Sequence, residues 1–301
     1  MTISAAFPVA TQPFFLSVSD HSRFCLYHLP ELAGTASRGA IVYIHPFAEE
    51  MNFSRRMAAL QSRALAAQGY AVLQIDLLGC GDSAGDFAEA SWSAWVADVI
   101  EAIRWLRVRH PAGALTLWGL RAGCLLAAEA ARAMDAPVDF LFWQPVLSGE
   151  AHWRQFRRLA VAARALEDSN DACEHAPERV AENTPLIEIA GYGISPALIA
   201  GLSASHLALP ANTRRVSCIE VSTWQVADEN NANLPALLPP LSPALSPALA
   251  AAVAAWREQG VSVRCAVVPG AAFWQIAEAE DCPALRAATM QLLTEGSDDD
   301  A

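Results

Sequence analysis

A serine that could act as a nucleophile lies between two glycines in GDSAG, at positions 81–85. The pattern G-x-S-x-G is typical of enzymes whose serine Oγ attacks an acyl carbon from a sharp turn between a strand and a helix. Here a polar loop, 86–90, follows the pattern, and the next helix is predicted to begin only at Ser91. This placement favours a tight turn built from small residues. Ser83 is therefore only a candidate nucleophile.

The strand–turn–helix context that a nucleophile requires occurs instead at 119–123, where the sequence is GLRAG. The central position holds Arg121, and a guanidinium stays protonated and has no lone pair with which to attack. Arg121 cannot replace a serine, cysteine or aspartate nucleophile. Cys124 is the second candidate nucleophile, because it starts the following helix, where a thiolate is favoured.

The elements that position these turns alternate between apolar strands and amphipathic helices. Strands are predicted at 13–18, 23–28, 40–44, 70–75, 115–118, 138–143, 215–221 and 261–268. Helices are predicted at 52–68, from Ser91 to Leu106, and at 124–134, 149–166, 249–259 and 283–293. This order predicts an α/β fold with a mostly parallel sheet and right-handed crossovers.

The predicted domains follow from this order of elements. The core covers 1–148 and 214–296, and an acidic tail covers 297–301. Residues 149–213 interrupt the alternation of strands and helices. An insertion at this place is predicted to form a lid or cap over the active face.

Four segments resemble the α/β-hydrolase superfamily: YIHPF at 43–47, DLLGCGDSAG at 76–85, the turn at 119–123, and VPG at 268–270. The resemblance implies an α/β-hydrolase fold with a lid. It also implies that the turn at 119–123 is the nucleophile elbow. The segment after the strand at 40–44 would then be the oxyanion-hole loop, which faces the elbow.

Five motifs resemble, more narrowly, the exosortase A system-associated hydrolase 2 family. They are HPFAEEMN at 45–52, DLLGCGDS at 76–83, WGLR at 118–121, FWQP at 142–145 and PGAAFWQ at 269–275. That family is named after bacterial gene neighbourhoods that hold an exosortase, PEP-CTERM protein sorting and exopolysaccharide genes. The resemblance implies a function associated with this system and a protein partner from it.

Histidine positions give a second test, because the catalytic histidine of α/β-hydrolases follows the last strand. The last of the seven histidines is His206, which precedes the final strand. Phe273 and Trp274 stand where a general base would lie. Asp228 follows the preceding strand but has no histidine to orient. Because triad residues act as a unit, the sequence predicts that the Ser-His-Asp triad is missing.

Arg121 needs a counter-charge, because a helix start disfavours a cation. Glu49 and Glu50 follow the strand that ends at Ile44 and are the nearest carboxylates in the implied oxyanion-hole loop. In one interpretation, either glutamate forms a salt bridge with Arg121 and plugs the old active site. In the other, Arg121 and backbone N–H groups at the helix start hold a carboxylate or a phosphate. Both stay open, since either partner neutralises the same charge.

Aromatic and polar residues at the same sheet edge complete the predicted binding site. Trp143, Gln144 and Trp274 lie at or just past the C-terminal ends of strands, where open α/β sheets bind ligands. They suit an acyl or sugar-like group, whereas His45 either lines the pocket or forms a structural His-Pro turn. The predicted ligand-binding set is Arg121, Leu120, His45, Phe47, Glu49, Glu50, Trp143, Gln144, Phe273 and Trp274. No cofactor is predicted, and no metal-ligand spacing is recognised.

Composition limits the classes of partner. The 301 residues carry a formal net charge of −12, which argues against nucleic acid or an anionic membrane surface as the main partner. No apolar stretch of about 18 residues runs without a charge or a proline, so no membrane span is predicted. The seven cysteines are scattered without CxxC spacing. They predict reduced core side chains in a cytoplasmic protein.

Three functions remain open. The favoured hypothesis is a non-catalytic α/β-hydrolase-fold protein that binds a small anionic ligand or a partner protein of the exosortase and exopolysaccharide system. The second is an active acyl hydrolase, an esterase or thioesterase, that uses Ser83 or Cys124. The third is a structural adaptor whose pocket is plugged.

Overall fold

The computed structural model describes residues 10–31, 37–167, 186–223, 244–276 and 281–294. The strands are β1 Thr11–Val18, β2 His21–His28, β3 Gly39–Ile44, β4 Tyr70–Ile75, β5 Ala114–Leu120, β6 Val138–Trp143, β7 Ile187–Ile189, β8 Tyr192–Ile194, β9 Thr213–Ser222 and β10 Ser262–Pro269. The α-helices are α1 Glu49–Ala67, α2 Trp92–Arg109, α3 Gly123–Ala131, α4 Gly149–Glu167, α5 Pro196–Ala204, α6 Pro247–Glu258 and α7 Pro283–Thr294.

Eight of the strands form one sheet in the order β1-β2-β4-β3-β5-β6-β9-β10. β2 pairs antiparallel with both β1 and β4, and the remaining neighbours pair in parallel. Every residue of β3 and β6 is buried, as expected for parallel strands that are covered on both faces. The predicted mostly parallel sheet is confirmed.

Helices cover both faces of this sheet. On one face, Met57 of α1 and Leu285 of α7 are buried in one apolar cluster. On the other face, α2, α3 and α6 contribute buried side chains such as Val99, Leu125 and Val253 to a second cluster. Helix α2 begins where the sequence predicts, because the Ser91 side chain accepts a hydrogen bond from Ala94 N–H. Because β4, β3, β5, β6, β9 and β10 run parallel, their C-terminal ends lie at one edge of the sheet.

Helix α1 begins at Glu49, whereas the sequence predicts a start at residue 52. Its N-cap residue, Ala48, has a positive φ of 49° and no side chain that caps the helix. Glu49 and Glu50 therefore lie in the first helical turn, where the macrodipole favours carboxylates, and not in a loop.

The chain between β6 and β9 forms α4, the β7–β8 hairpin and α5. Helix α4 packs against α5, and α5 packs against α2. The predicted boundaries of the lid stay predictions. Asp228 and the tail at 297–301 lie outside the described residues.

The six cysteines in the described ranges carry free thiols, and five of them are buried. For these five, the predicted position in the core is confirmed. Among the helices in the same ranges, none has the length and apolarity required to cross a bilayer.

Candidate functional site

The turn between β5 and α3 has a strained backbone at its central residue. Arg121 has a φ of 54°, in the left-handed region that costs a non-glycine residue about 1–2 kcal/mol. Its N–H donates to Trp143 O over 3.0 Å, and its carbonyl accepts from Cys124 N–H over 3.1 Å. The sharp strand-to-helix turn of a nucleophile elbow is thus present, but it presents an arginine.

Gly119 and Gly123 are required here by close packing. A Cβ at Gly123 would lie 2.3 Å from Ile44 O, the last carbonyl of β3. A Cβ at Gly119 would lie 2.6 Å from the backbone nitrogen of Cys124. The two glycines thus allow α3 to start directly against the sheet edge.

The Arg121 side chain forms a salt bridge with Glu50 from the first turn of α1. Nε of Arg121 lies 3.2 Å from Oε1 of Glu50, and the side chains are only 12% and 14% exposed. NH1 and NH2 of Arg121 hydrogen-bond to no residue that the structure describes. The guanidinium carbon lies 5.7 Å from the ring centroid of Trp274, within range of a cation–π contact. Within the described residues, the guanidinium is thus paired through Nε, with Glu50.

His152 of α4 lies on the far side of Glu50. Its Nε2 is 4.0 Å from Oε2 of Glu50, which is too long for a hydrogen bond. Burial, together with the charge of Arg121, lowers the pKa of His152 to about 3, so the ring is neutral. Burial raises the pKa of the Glu50 carboxyl, and Arg121 opposes this shift. Oε2 of Glu50 and both ring nitrogens of His152 are buried without a hydrogen-bond partner among the described residues.

A cleft of about 420 Å³ opens beside this cluster. It is lined by Glu49, Glu50, Phe53, Arg121, His152, Gln155, Phe156, Ala190, Trp274 and Gln275. The Glu49 carboxylate accepts a hydrogen bond of 2.5 Å from the Tyr192 hydroxyl. The Arg121–Glu50 salt bridge does not fill the space at the elbow. A cleft with a charged end and apolar walls lies beside it.

Four residues of the predicted ligand-binding set line this cleft: Glu49, Glu50, Arg121 and Trp274. Leu120, Phe47, His45, Trp143, Gln144 and Phe273 do not line it. His45 is buried, with Nδ1 2.7 Å from Pro46 O and Nε2 accepting from Leu77 N–H. Burial lowers the pKa of His45, and both of its nitrogens are used in a structural turn.

The other members of the predicted set pack beneath or beside the cleft. Trp143 points into the core, where Nε1 donates to Thr289 Oγ1 over 2.9 Å. Oε1 of Gln144 accepts from Val221 N–H over 2.8 Å and so joins β6 to β9. The Phe47 ring lies edge-on to Phe156, with centroids 5.1 Å apart, and supports a wall of the cleft from below. Leu120 and Phe273 are fully buried.

Six lining residues are outside the predicted set: Phe53, His152, Gln155, Phe156, Ala190 and Gln275. His152 and Phe156 lie four residues apart on α4, on one helix face. The four-residue spacing could have placed His152 and Phe156 on one face of α4 from the sequence. It could not have shown that this face lies over the Arg121 turn. No group of three or more possible metal ligands occurs in the described part of the chain.

The two candidate nucleophiles lie outside this cleft. Ser83 Oγ donates to Asp76 O over 2.5 Å and accepts from Phe24 N–H over 2.8 Å. It therefore ties β2 to the loop after β4. The buried Cys124 thiol donates to Gly119 O over 3.3 Å, and burial raises its pKa. Both side chains have structural hydrogen bonds in place of a general base.

We expect Ser83→Ala to lower the unfolding free energy by about 1 kcal/mol, because it removes both hydrogen bonds. Urea denaturation measures this loss, and Ser262→Ala at the exposed start of β10 is the matched control, which is expected to leave stability unchanged. Neither the wild type nor the variant is expected to react with a fluorophosphonate probe. Stoichiometric labelling that disappears in Ser83→Ala would show instead that Ser83 is a nucleophile.

Comparison with known proteins agrees with this fold. The family model Hydrolase_4, described as serine aminopeptidase, S33, matches residues 35–183. The human protein ABHD12B is 32% identical over 102 residues, which are 33% of this chain and 27% of that protein. This chain thus matches only about a quarter of that relative.

Solved structures match over nearly the whole chain. Est1E from Butyrivibrio proteoclasticus, solved with ferulic acid bound, superposes with a TM-score of 0.56 at 13% identity, over 94% of this chain and 98% of Est1E. A Xanthomonas campestris α/β serine hydrolase without a lid gives a TM-score of 0.53 at 16% identity, covering 95% of this chain and 94% of its own. Mouse α/β-hydrolase domain-containing protein 10 gives a TM-score of 0.52 at 16% identity, covering 94% of this chain and 99% of its own. These likenesses concern the fold. Together with the family-model match over residues 35–183, they show that the chain has an α/β-hydrolase fold.

Proposed function

We propose that this chain is a non-hydrolytic α/β-hydrolase-fold protein that binds a small anionic ligand at Arg121. The observation that carries the proposal is the position of this arginine. It occupies the strained elbow, its Nε pairs with Glu50, and it lines an open cleft. Because a guanidinium presents N–H donors on more than one edge, NH1 and NH2 are left to bind a carboxylate or phosphate.

The residues around the elbow support binding over hydrolysis. A side chain that cannot attack stands at the nucleophile position, and the sequence has no histidine after His206. Ser83 and Cys124 each hydrogen-bond to backbone groups outside the cleft. Among the described residues, the esterase or thioesterase alternative therefore lacks a nucleophile in the cleft, and the sequence lacks the histidine that would follow the last strand.

The cellular role that we propose rests on the sequence motifs. Their resemblance to the exosortase A system-associated hydrolase 2 family supports a role beside exosortase, PEP-CTERM and exopolysaccharide proteins, and the scattered cysteines support a place in the cytoplasm. The binding partner would then be a small anionic ligand at Arg121 or a protein of that system. An acyl or sugar-like group on the ligand suits the apolar walls of the cleft.

The proposal is tested by thermal unfolding with acetate, benzoate and inorganic phosphate. An anion at about 100 times its Kd is expected to stabilise the wild type by about 2.7 kcal/mol. Arg121→Gln is expected to lose this stabilisation. Arg154→Gln keeps it, because Arg154 lies on the exposed face of α4, where it pairs with Glu150 outside the cleft.

Two outcomes would contradict the proposal. If no anion stabilises the wild type, the structural adaptor with a plugged pocket replaces the anion-binding protein. If p-nitrophenyl esters are hydrolysed above the buffer rate and a fluorophosphonate labels the protein, the chain is an acyl hydrolase.

A further inference from the structure

The charges around the cleft restrict which anions Arg121 can hold. Glu49 and Glu50 both line the cleft, so it holds two carboxyl groups and one guanidinium, of which Glu50 pairs with Arg121 and Glu49 with Tyr192. A bound anion would share Arg121 with Glu50 in a largely buried site, where like charges repel strongly. A dianion such as phosphate would suffer this repulsion twice over. The site therefore favours a singly charged ligand and requires something that neutralises the added charge.

Glu50 and His152 are placed so that Glu50 can take up a proton and share it with His152 in a hydrogen bond. Oε2 of Glu50 and Nε2 of His152 face each other at 4.0 Å, and neither has a hydrogen-bond partner among the described residues. A protonated Glu50 would carry an O–H donor, and a neutral His152 with its proton on Nδ1 offers Nε2 as the acceptor. A small closing movement would convert this gap into a hydrogen bond of normal length.

The walls of the cleft select for an apolar body on the ligand. Phe53, Phe156, Ala190 and Trp274 line the space beyond the charged end. A volume of about 420 Å³ falls in the range of small-molecule sites, which combine apolar walls with a few polar groups.

We propose, on the basis of the anion site above, that the cleft binds an apolar monocarboxylic acid together with one proton. The ligand carboxylate pairs with NH1 and NH2 of Arg121, and its apolar body packs against the aromatic walls. Glu50 takes up the proton from solvent and donates it in a hydrogen bond to Nε2 of His152. No bond of the ligand is broken, and the net charge of the site is unchanged on binding.

The groups that face Glu50 support the uptake of a proton by this carboxylate. Arg121 faces it from the elbow and His152 from α4, while Glu49 precedes it on α1 and pairs with Tyr192 of β8. Burial already raises the pKa of Glu50, and Arg121 is the cation that opposes this shift. A ligand carboxylate that shares Arg121 raises the pKa of Glu50 further, so binding takes up a proton. Affinity therefore rises as the pH falls.

Isothermal titration calorimetry with benzoate and octanoate tests the inference. Titrations at pH 7 in two buffers of different ionisation enthalpy give the number of protons taken up per ligand. We expect about one proton in the wild type, none in Glu50→Gln, and a Kd that rises by up to tenfold per pH unit. His152→Phe, which removes the acceptor, is expected to weaken benzoate binding about tenfold. Glu150→Gln, a carboxyl-to-amide change outside the cleft on α4, leaves uptake and affinity unchanged.

The possible failures separate the two proposals. Benzoate binding without proton uptake, or uptake that persists in Glu50→Gln, would overturn proton coupling but leave the anion site intact. Inorganic phosphate that binds more tightly than benzoate would overturn the ligand class. If none of these anions binds in an Arg121-dependent way, the proposed function itself is wrong.

Discussion

Replacing Arg121 with methionine is expected to lower the unfolding free energy by about 3 kcal/mol at neutral pH, because removing one member of a buried ion pair leaves the other charge uncompensated. Glu50 would lose the cation at 3.2 Å while staying largely buried in the first turn of α1. Backbone strain at position 121 does not change, since methionine has the same left-handed cost as arginine. The loss therefore reports the ion pair together with the cation–π contact to Trp274, and urea denaturation measures it.

The stability loss in Arg121→Met is expected to depend on pH, because it arises from the charge on Glu50. In Arg121→Met, burial raises the pKa of Glu50 without an opposing cation, so the folded state favours the protonated carboxyl. The defect is expected to be small below the ordinary glutamate pKa and to grow as the pH rises through the raised value.

The double variant Arg121→Met/Glu50→Leu separates charge from packing. It is expected to recover most of the lost stability, because two apolar residues replace the pair. Arg154→Met, which breaks an exposed ion pair on α4, is the matched control and should cost less than about 1 kcal/mol. A double variant as unstable as Arg121→Met would show that the pair is not the cause.

Gly123→Ala is the second large effect that we expect, with a loss of about 3 kcal/mol from overpacking. The added methyl would lie 2.3 Å from Ile44 O and 2.8 Å from His45 O, so α3 or the end of β3 must move. Both contacts are with backbone atoms, which no side-chain rotation relieves. Thermal and urea unfolding measure the loss.

Gly193→Ala provides the control for this substitution. Its Cβ would meet nothing closer than 3.5 Å, an ordinary van der Waals contact, so we expect a change below about 0.5 kcal/mol. Equal losses in the two variants would argue against steric exclusion at the elbow as the cause.

The sequence predicted the sheet well because continuous apolar runs and helix caps are local signals. Ser91 capped α2 as expected, and the glycines around Arg121 marked the turn. The start of α1 carried no such signal, since Ala48 has no capping side chain. The side-chain directions at strand ends were also not predictable: Trp143 turns into the core towards Thr289, and Trp274 turns to the cleft.

The partner of Glu50 depended on tertiary packing. Arg121, Glu49 and Glu50 were recognisable in the sequence as charges at one sheet edge. The sequence did not show which of the two glutamates pairs with Arg121. The structure distinguishes them, because Tyr192 binds Glu49 and Arg121 binds Glu50. His152 joins this cluster from α4, more than 30 residues beyond Arg121 in the chain, and no local pattern connects the two positions.

The strained turn at Arg121 has a consequence for assigning function by shape. Backbone hydrogen bonds of residue 121 and the two flanking glycines hold its conformation, and these do not depend on which side chain stands at the tip. Mutation can therefore exchange a nucleophile for a cation there while the surrounding architecture persists. Superposition onto serine hydrolases will score such a chain as an enzyme, because it compares the course of the main chain. Reading the identity of one tip residue, and of the histidine expected after the last strand, shows whether such a chain keeps the residues that hydrolysis requires.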